Sequence, residues 1–238
     1  MLSLFFVDQI STGSTQELSG DEGHHAVKVM RLQIGEQIKI ADNLGNWVSG
    51  AITEVGKKSL KIDIAERGNA QNLKPELILV QAVTKSDRTK EMLELLTVAG
   101  ADQIIPWQAQ RCISKWKSDS TDKWLMTIKE SAKQARRVKL PVLRDAVTTN
   151  QLVKLFQVDD QVIVLHEGAQ SNISQFKFAE DVKRIFIVIG PEGGISEEEI
   201  AQLIAAKAVV VRMGENVLRS AHAGFAALSG IQTLIGRW

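Results

Sequence analysis

The chain has 238 residues, 44% of them apolar and 24% charged, with a formal net charge of +1. That composition is that of a folded domain or pair of domains, and it excludes a uniformly polycationic binder, so any nucleic-acid surface must be local. No run is long and apolar enough to span a membrane, the opening MLSLFFVDQI lacks the basic stretch and cleavage site of a secretory signal, and one cysteine, Cys112, excludes an intrachain disulfide. A cytoplasmic protein without a structural metal is expected, with Cys112 a packed thiol.

Taken in order, residues 4–7, 36–41, 47–55 and 59–64 read as short strands separated by turn signals such as Asp42-Asn43-Leu44-Gly45-Asn46, which suggests a small β-barrel or sandwich. Between the first two lies a helical stretch, residues 21–32, whose Val27, Met30 and Leu32 suit a core while Lys28 and Arg31 stay in water. It reads either as a clamp on an RNA backbone or as a solvated face, and the residues alone favour the solvated face. His24 and His25, adjacent on a helix, point apart and make a poor metal site. The polar run at 66–75 reads as a linker, giving two expected domains at 1–70 and 75–238.

Beyond it strands and helices alternate. Strands are expected at 76–83, 102–105 (ended by Pro106), near 146, and at 161–165, 184–189 and 208–211. Helices are expected at 88–99, 121–139, 150–156 and 221–235. Such alternation implies an α/β domain with a largely parallel sheet covered on both faces.

The run Ile185–Ile189 is continuously apolar and mostly β-branched, as in a strand buried on both sides, and it stops at Gly190-Pro191-Glu192-Gly193-Gly194. A helix should follow at once, with Ser196 and Glu199 forming a capping box and Glu197 to Glu199 facing the positive end of the dipole. Two more strand ends carry a glycine just beyond them: Leu165-His166-Glu167-Gly168, and Met213-Gly214-Glu215-Asn216-Val217-Leu218-Arg219. If the three strands are neighbours in one parallel sheet, their loops share an edge and can wrap a single ligand with backbone groups. Neither a P-loop nor GxGxxG is present, and Glu192 would repel a phosphate, so a neutral or cationic ligand fits better.

The stretch KESAKQARRVKLPVLR is locally basic. On a helix Lys129, Lys133, Arg136 and Arg137 fall on one side, with Glu130 the only opposing charge, which favours a phosphate-binding surface over a merely solvated one. Arg111, Lys115 and the interleaved Trp107 and Trp116 could extend it by stacking, although buried indoles are equally consistent.

Together IGPEGGISEEE, MGENVLRSAHAG, KESAKQARRVKLP and HHAVKVMRL, in this order and spacing, make the chain similar over essentially its whole length to the ribosomal small subunit methyltransferase E family. These enzymes methylate N3 of a uridine in 16S ribosomal RNA and belong to the trefoil-knotted SPOUT class. The resemblance implies a PUA-like β-barrel for RNA, a C-terminal knot holding S-adenosylmethionine, and a homodimer through the knotted domain. It also implies that backbone groups of the three loops read the adenine edge, with Leu165, Ile189, Val217 and Leu218 enclosing the cofactor. The cofactor set is then Leu165, His166, Glu167, Gly168, Ile189, Gly190, Glu192, Gly193, Gly194, Met213, Gly214, Val217 and Leu218. Arg219 maps next to the chemistry, and Lys28, Arg31, Arg136 and Arg137 map as contacts to 16S ribosomal RNA or the small subunit. Where many members carry Thr-Glu-Thr-Ala after that arginine, this chain has Ser220-Ala221-His222-Ala223, so no carboxylate role is carried over there. The first residues also lack arginines often found in the family.

A neutral uracil holds a proton on N3, so methylation there needs that proton removed or the developing anion stabilised. Arg219 is expected to stabilise the uracil oxygens, and Glu192 and His222 are the candidates to take the proton. The rival expectations are a knotted methyltransferase acting on transfer RNA or a ribose, and an RNA-binding assembly factor with a degenerate pocket.

Overall fold

The computed structural model describes residues 2–238, Ser86 and Asp87 by their backbone alone, so Met1 of the first expected domain lies outside the described residues. The chain forms two compact units: Met1–Gln71 with Lys129–Leu140, and Asn72–Ile128 with Pro141–Trp238. The second excursion into the first unit, at 129–140, has no counterpart in a division into two contiguous stretches.

In the first unit the strands β1 (Ser3–Phe6), β2 (Thr15–Leu18), β3 (Gln37–Ala41), β4 (Asn46–Val55) and β5 (Leu60–Asn69) form one sheet in the order β1-β3-β4-β5-β2. Every strand contributes to one core, with Phe5, Leu18, Ile38, Ile40, Val48, Ile52, Leu60 and Ile62 all nearly inaccessible, so a single curled sheet rather than a two-layer sandwich encloses it. Strand β2 escapes hydrophobic periodicity because TQEL has one apolar side chain. Its buried Gln16 is accommodated by hydrogen bonds, accepting from Ser11 N and donating to Glu17 O. Strand β5 runs five residues past the expected end at 64, since Arg67 ties it to the carbonyls of Ser11 and Gly13. The expected linker therefore shortens to the residues after Asn69.

The helical stretch near residue 25 is short: α1 (Gly20–His24) passes into a π turn, His25–Val29. The wider turn rotates the apolar face, burying Ala26 and Leu32 and leaving Met30 exposed, against the expectation for Met30.

The second unit holds β6 (Glu76–Ala82), β7 (Gln103–Trp107), β8 (Val142–Leu143), β9 (Asp160–Leu165), β10 (Arg184–Ile189) and β11 (Val209–Val211), all parallel, in the order β11-β9-β10-β6-β7-β8. Pro106 does not end β7, because only its carbonyl is needed there, accepting from Val147 N at 2.9 Å. The helices are α2 (Ser86–Val98), α3 (Ser120–Gln134, which crosses into the first unit), α4 (Thr149–Leu152), α5 (Glu197–Ala205) and α6 (Ser220–Leu234). Helices α2 and α6 pack on each other and α6 on β6 and β10, while α4 and α5 pack together and their Leu152 and Leu203 join the core formed with Ile78, Val80 and Val188. Strand β10 at the centre has Ile185 through Ile189 almost fully buried, worth roughly 1.5–3 kcal/mol per large side chain, which fixes its register against both neighbours.

Candidate active site

The register aligns Ile189 at the end of β10 with Leu165 at the end of β9, and Leu165 with Val211 at the end of β11. All three strands therefore finish at one edge, and the loops that follow line a single cavity of about 580 Å³. That volume suits a small organic ligand.

Each wall has its own local cause. After β10 the chain turns at Gly190–Gly194, closed by Gly194 N to Pro191 O at 2.9 Å. Gly194 has φ +74°, a backbone strained for any other residue, and a Cβ on Gly190 would stand 2.6 Å from the Ile195 side chain, which would have to move. Ser196 then caps α5 reciprocally with Glu199, as its sequence signature predicts. Glu199 is itself buried, accepting from Thr149 Oγ1 at 2.6 Å and Gln110 N at 2.9 Å, so this acid holds the framework rather than a ligand.

After β9, His166 N donates to Val211 O, and Gly168 N donates to His166 Nδ1 at 3.0 Å, leaving the ring proton on Nε2. After β11, Arg212 is tied to the β9–β10 loop by its N to Ser171 O and by Ile173 N to Arg212 O, both 2.9 Å. Val217 is 75% exposed and Leu218 40%, two apolar side chains on the cavity wall. The start of α6 is fastened to the glycine turn: Ser220 Oγ donates to Gly190 O at 2.7 Å and receives Gln81 Nε2 at 3.1 Å.

Leu165, His166, Glu167, Ile189, Gly190, Glu192, Gly194, Met213, Gly214, Val217, Leu218 and Arg219 all line this cavity. Gly168 and Gly193 do not: Gly168 bonds His166 from behind, and Gly193 abuts the backbone of Arg111, 3.1 Å from where its Cβ would be. The sequence reading missed Lys85 and Arg88, and Arg212, which it placed at the third strand end without a role, lines the cavity too. Lys85 and Arg88 follow the end of β6, the same kind of edge position, but no glycine marks that turn. His222 lines the cavity as well, with its Nε2 3.0 Å from Glu91 Oε1 on α2. The His222 hydrogen bond, chiefly, holds the Glu91 carboxyl below the usual range, opposed by desolvation and aided by the histidine charge and by the Arg88 hydrogen bond and charge. Burial, in contrast, pushes the Cys112 thiol up, in keeping with a packed, unreactive group.

The basic stretch differs from its expected form. Helix α3 stops at Gln134 in a Schellman closure, with Arg136 N bonded to Lys133 O and Arg137 N to Ala132 O, and Arg136 left-handed at φ +54°. Arg136 and Arg137 thus lie beyond the helix and share no face with Lys129 and Lys133. Nor is Glu130 the only opposing charge: Glu22 of α1 meets Lys133 at 3.2 Å and Lys129 at 3.5 Å. Lys28 and Arg31 are exposed, Arg31 also left-handed at φ +56°. Trp107 is fully buried with its indole N–H on Thr149, and Trp116 packs edge-on against Trp124, so Trp107 offers no stacking platform. Among the described residues no cluster of His, Cys, Asp and Glu has the arrangement of a metal site, and no helix is long and apolar enough to cross a membrane.

The chain matches the RNA methyltransferase domain family over residues 71–232 and the RNA methyltransferase PUA domain over residues 18–65. It is 35% identical to a ribosomal RNA small subunit methyltransferase E of Mycobacterium bovis, covering 99% of this chain and 93% of the relative. With the Bacillus subtilis protein of the same name it shares 30% identity, over 94% of this chain and 91% of that one. Among solved structures, a Legionella pneumophila methyltransferase in complex with S-adenosylmethionine superposes with a TM-score of 0.85 at 26% identity, covering 98% of each chain. The Neisseria gonorrhoeae ribosomal RNA small subunit methyltransferase E, also solved with S-adenosylmethionine, shares the fold with a TM-score of 0.89 at 22% identity over 98% of each chain. With a PUA domain joined to a SPOUT methyltransferase fold, and likeness to these relatives from end to end, the chain belongs to the ribosomal RNA small subunit methyltransferase E family.

Proposed function

We propose that this protein transfers a methyl group from S-adenosylmethionine to N3 of a uridine in the 16S ribosomal RNA of the small subunit, in the cytoplasm. The observation that carries this reading is the convergence of three strand-end loops on one cavity whose wall includes Arg219. The cavity fits the cofactor chemically: the open side chains of Val217 and Leu218 suit the faces of a purine, and the glycine turn allows close approach to peptide groups. Its wall sets the acids Glu167, Glu192 and Glu215 beside the cations Lys85, Arg88, Arg212 and Arg219, which suits a ligand that itself carries charges of both signs. When bound, S-adenosylmethionine supplies an electrophilic methyl group.

The protein's own contribution is positioning and electrostatics. Leu165, Ile189, Val217 and Leu218 enclose the adenine, and backbone groups of the three loops read its edge. Gly168 and Gly193 act at one remove, by setting His166 and the Arg111 backbone. Arg219, at the N-cap of α6, orients the uracil and offsets negative charge developing on its oxygens. Lys28, Arg31, Arg136 and Arg137 contact RNA phosphates.

The hydrogen bonds that tie Arg212 to the 171–173 loop support a trefoil knot in which the end of the chain is drawn under the β9–β10 connection. A homodimer through that domain completes the proposal. Mass-spectrometric mapping of small-subunit RNA incubated with the protein and the methyl donor tests it. One new N3-methyluridine is expected; a methylated ribose, or an unmodified RNA, would contradict it.

A further inference from the structure

We propose that His222, oriented by Glu91, is the base that takes the N3 proton of the target uracil. This deepens the proposed function and rests on it. His222 lies in the first turn of α6, three residues after Arg219, and both line the same cavity. Its Nε2 stands 3.0 Å from Glu91 Oε1, and the two side chains are 43% and 42% exposed, so proton exchange with water is open.

The pair settles the tautomer. An ionised carboxylate can only accept, so the Nε2 hydrogen points to Glu91 and the Nδ1 lone pair remains for an incoming proton. Arg88 bonds Glu91 from the other side at 3.4 Å, keeping that carboxylate ionised and placed. A base whose other ring nitrogen is held by a carboxylate is oriented as general bases in active sites commonly are. Glu192, the other candidate, sits exposed in the glycine turn.

The charged surroundings of His222 are few. Its own helix carries no other titratable side chain, and β6 and β10, on which α6 packs, carry only Glu76 and Arg184, both at the ends far from the cavity. Helix α2 presents Glu91 and Arg88, with Lys85 at its N-cap, and the rest of the cavity wall adds His166, Glu167, Glu192, Arg212, Glu215 and Arg219.

In the step proposed, the N3–H bond breaks, its proton passes to His222 Nδ1, and its electron pair stays on nitrogen to bond the methyl carbon, whose bond to the donor's sulfur would break with that bond's pair leaving on sulfur. The imidazolium, stabilised by Glu91, then returns the proton to solvent. Glu91 touches no reacting atom and is a positioning residue.

Two measurements test this. Nitrogen-15 NMR of the protein alone should show His222 protonated on Nε2 and bare on Nδ1; a proton on Nδ1 overturns the assignment. In methylation of small-subunit RNA, His222→Gln should lower kcat about 100-fold at neutral pH, with donor affinity unchanged and the fall in rate toward acid pH abolished. Replacing uridine by 5-fluorouridine, whose N3 proton is more acidic, should restore most of that loss. Equal losses on both RNAs, or no loss, overturn the role of His222. If the wild-type protein methylates no RNA, the proposed function itself falls, an outcome separate from either.

Discussion

The cavity of the second unit and the basic segment of the first are both runs of chemistry-bearing residues, yet the structure treats them differently. The three loops converge as adjacent parallel strands require. The four cations do not share a face: two are consumed by Glu22 and two lie beyond the helix end. A loop at the end of a buried strand is positioned by register, which apolar burial enforces strongly. A charge on a surface helix is positioned by partners that lie far away in sequence, and by where the helix stops.

Breaking the cavity should have the largest effect. Arg219→Ala should lower methyl transfer about 100- to 1,000-fold, read by single-turnover kinetics, with affinity for S-adenosylmethionine retained. Unchanged turnover would remove Arg219 from the chemistry. Gly194→Val, which puts a β-branched residue at φ +74°, should weaken donor binding at least about 10-fold by calorimetry while the circular dichroism stays native.

The basic segment sharpens the contrast. Burial pulls the Lys133 ammonium down, but hydrogen bonds and charges from Glu130 and Glu22 outweigh it and leave the group raised. Lys133→Ala should therefore cost about 1.5 kcal/mol of stability in denaturant titrations and leave RNA affinity nearly intact. Because the folded value is raised, this stabilisation is complete below the ordinary lysine range. It fades only as pH climbs through the raised value, so it should be constant across neutral pH. Arg137→Ala should weaken RNA binding and lower its salt slope by about one.

The smallest effect is the most discriminating. Arg136 occupies a left-handed helix-end position that glycine fills without strain, as does Lys207 after α5. Arg136→Gly should raise stability by about 1 kcal/mol while lowering RNA affinity. Lys207→Gly should give a similar stability gain and no change in RNA binding. If both variants bind RNA equally well, Arg136 is held there by nothing in RNA recognition.

The same contrast explains what was legible. The run at 185–189, the capping box at Ser196 and the glycine turns could be read directly, because local sequence dictates each. The π turn at His25 could not, since an extra residue in a turn leaves no trace in apolar spacing. Strand β2 was invisible because its buried Gln16 is satisfied by neighbours that only the fold supplies. Lys85, Arg88 and Glu91 join the site through the β6 edge and α2, and nothing in their own stretch marks it.

The central claim, that three loops close on one methyl donor, is tested most directly by hydrogen–deuterium exchange with and without S-adenosylmethionine. The account predicts that the donor slows exchange together in peptides covering 165–168, 190–194 and 213–219. Protection confined to one of them, or appearing elsewhere in the chain, would contradict it.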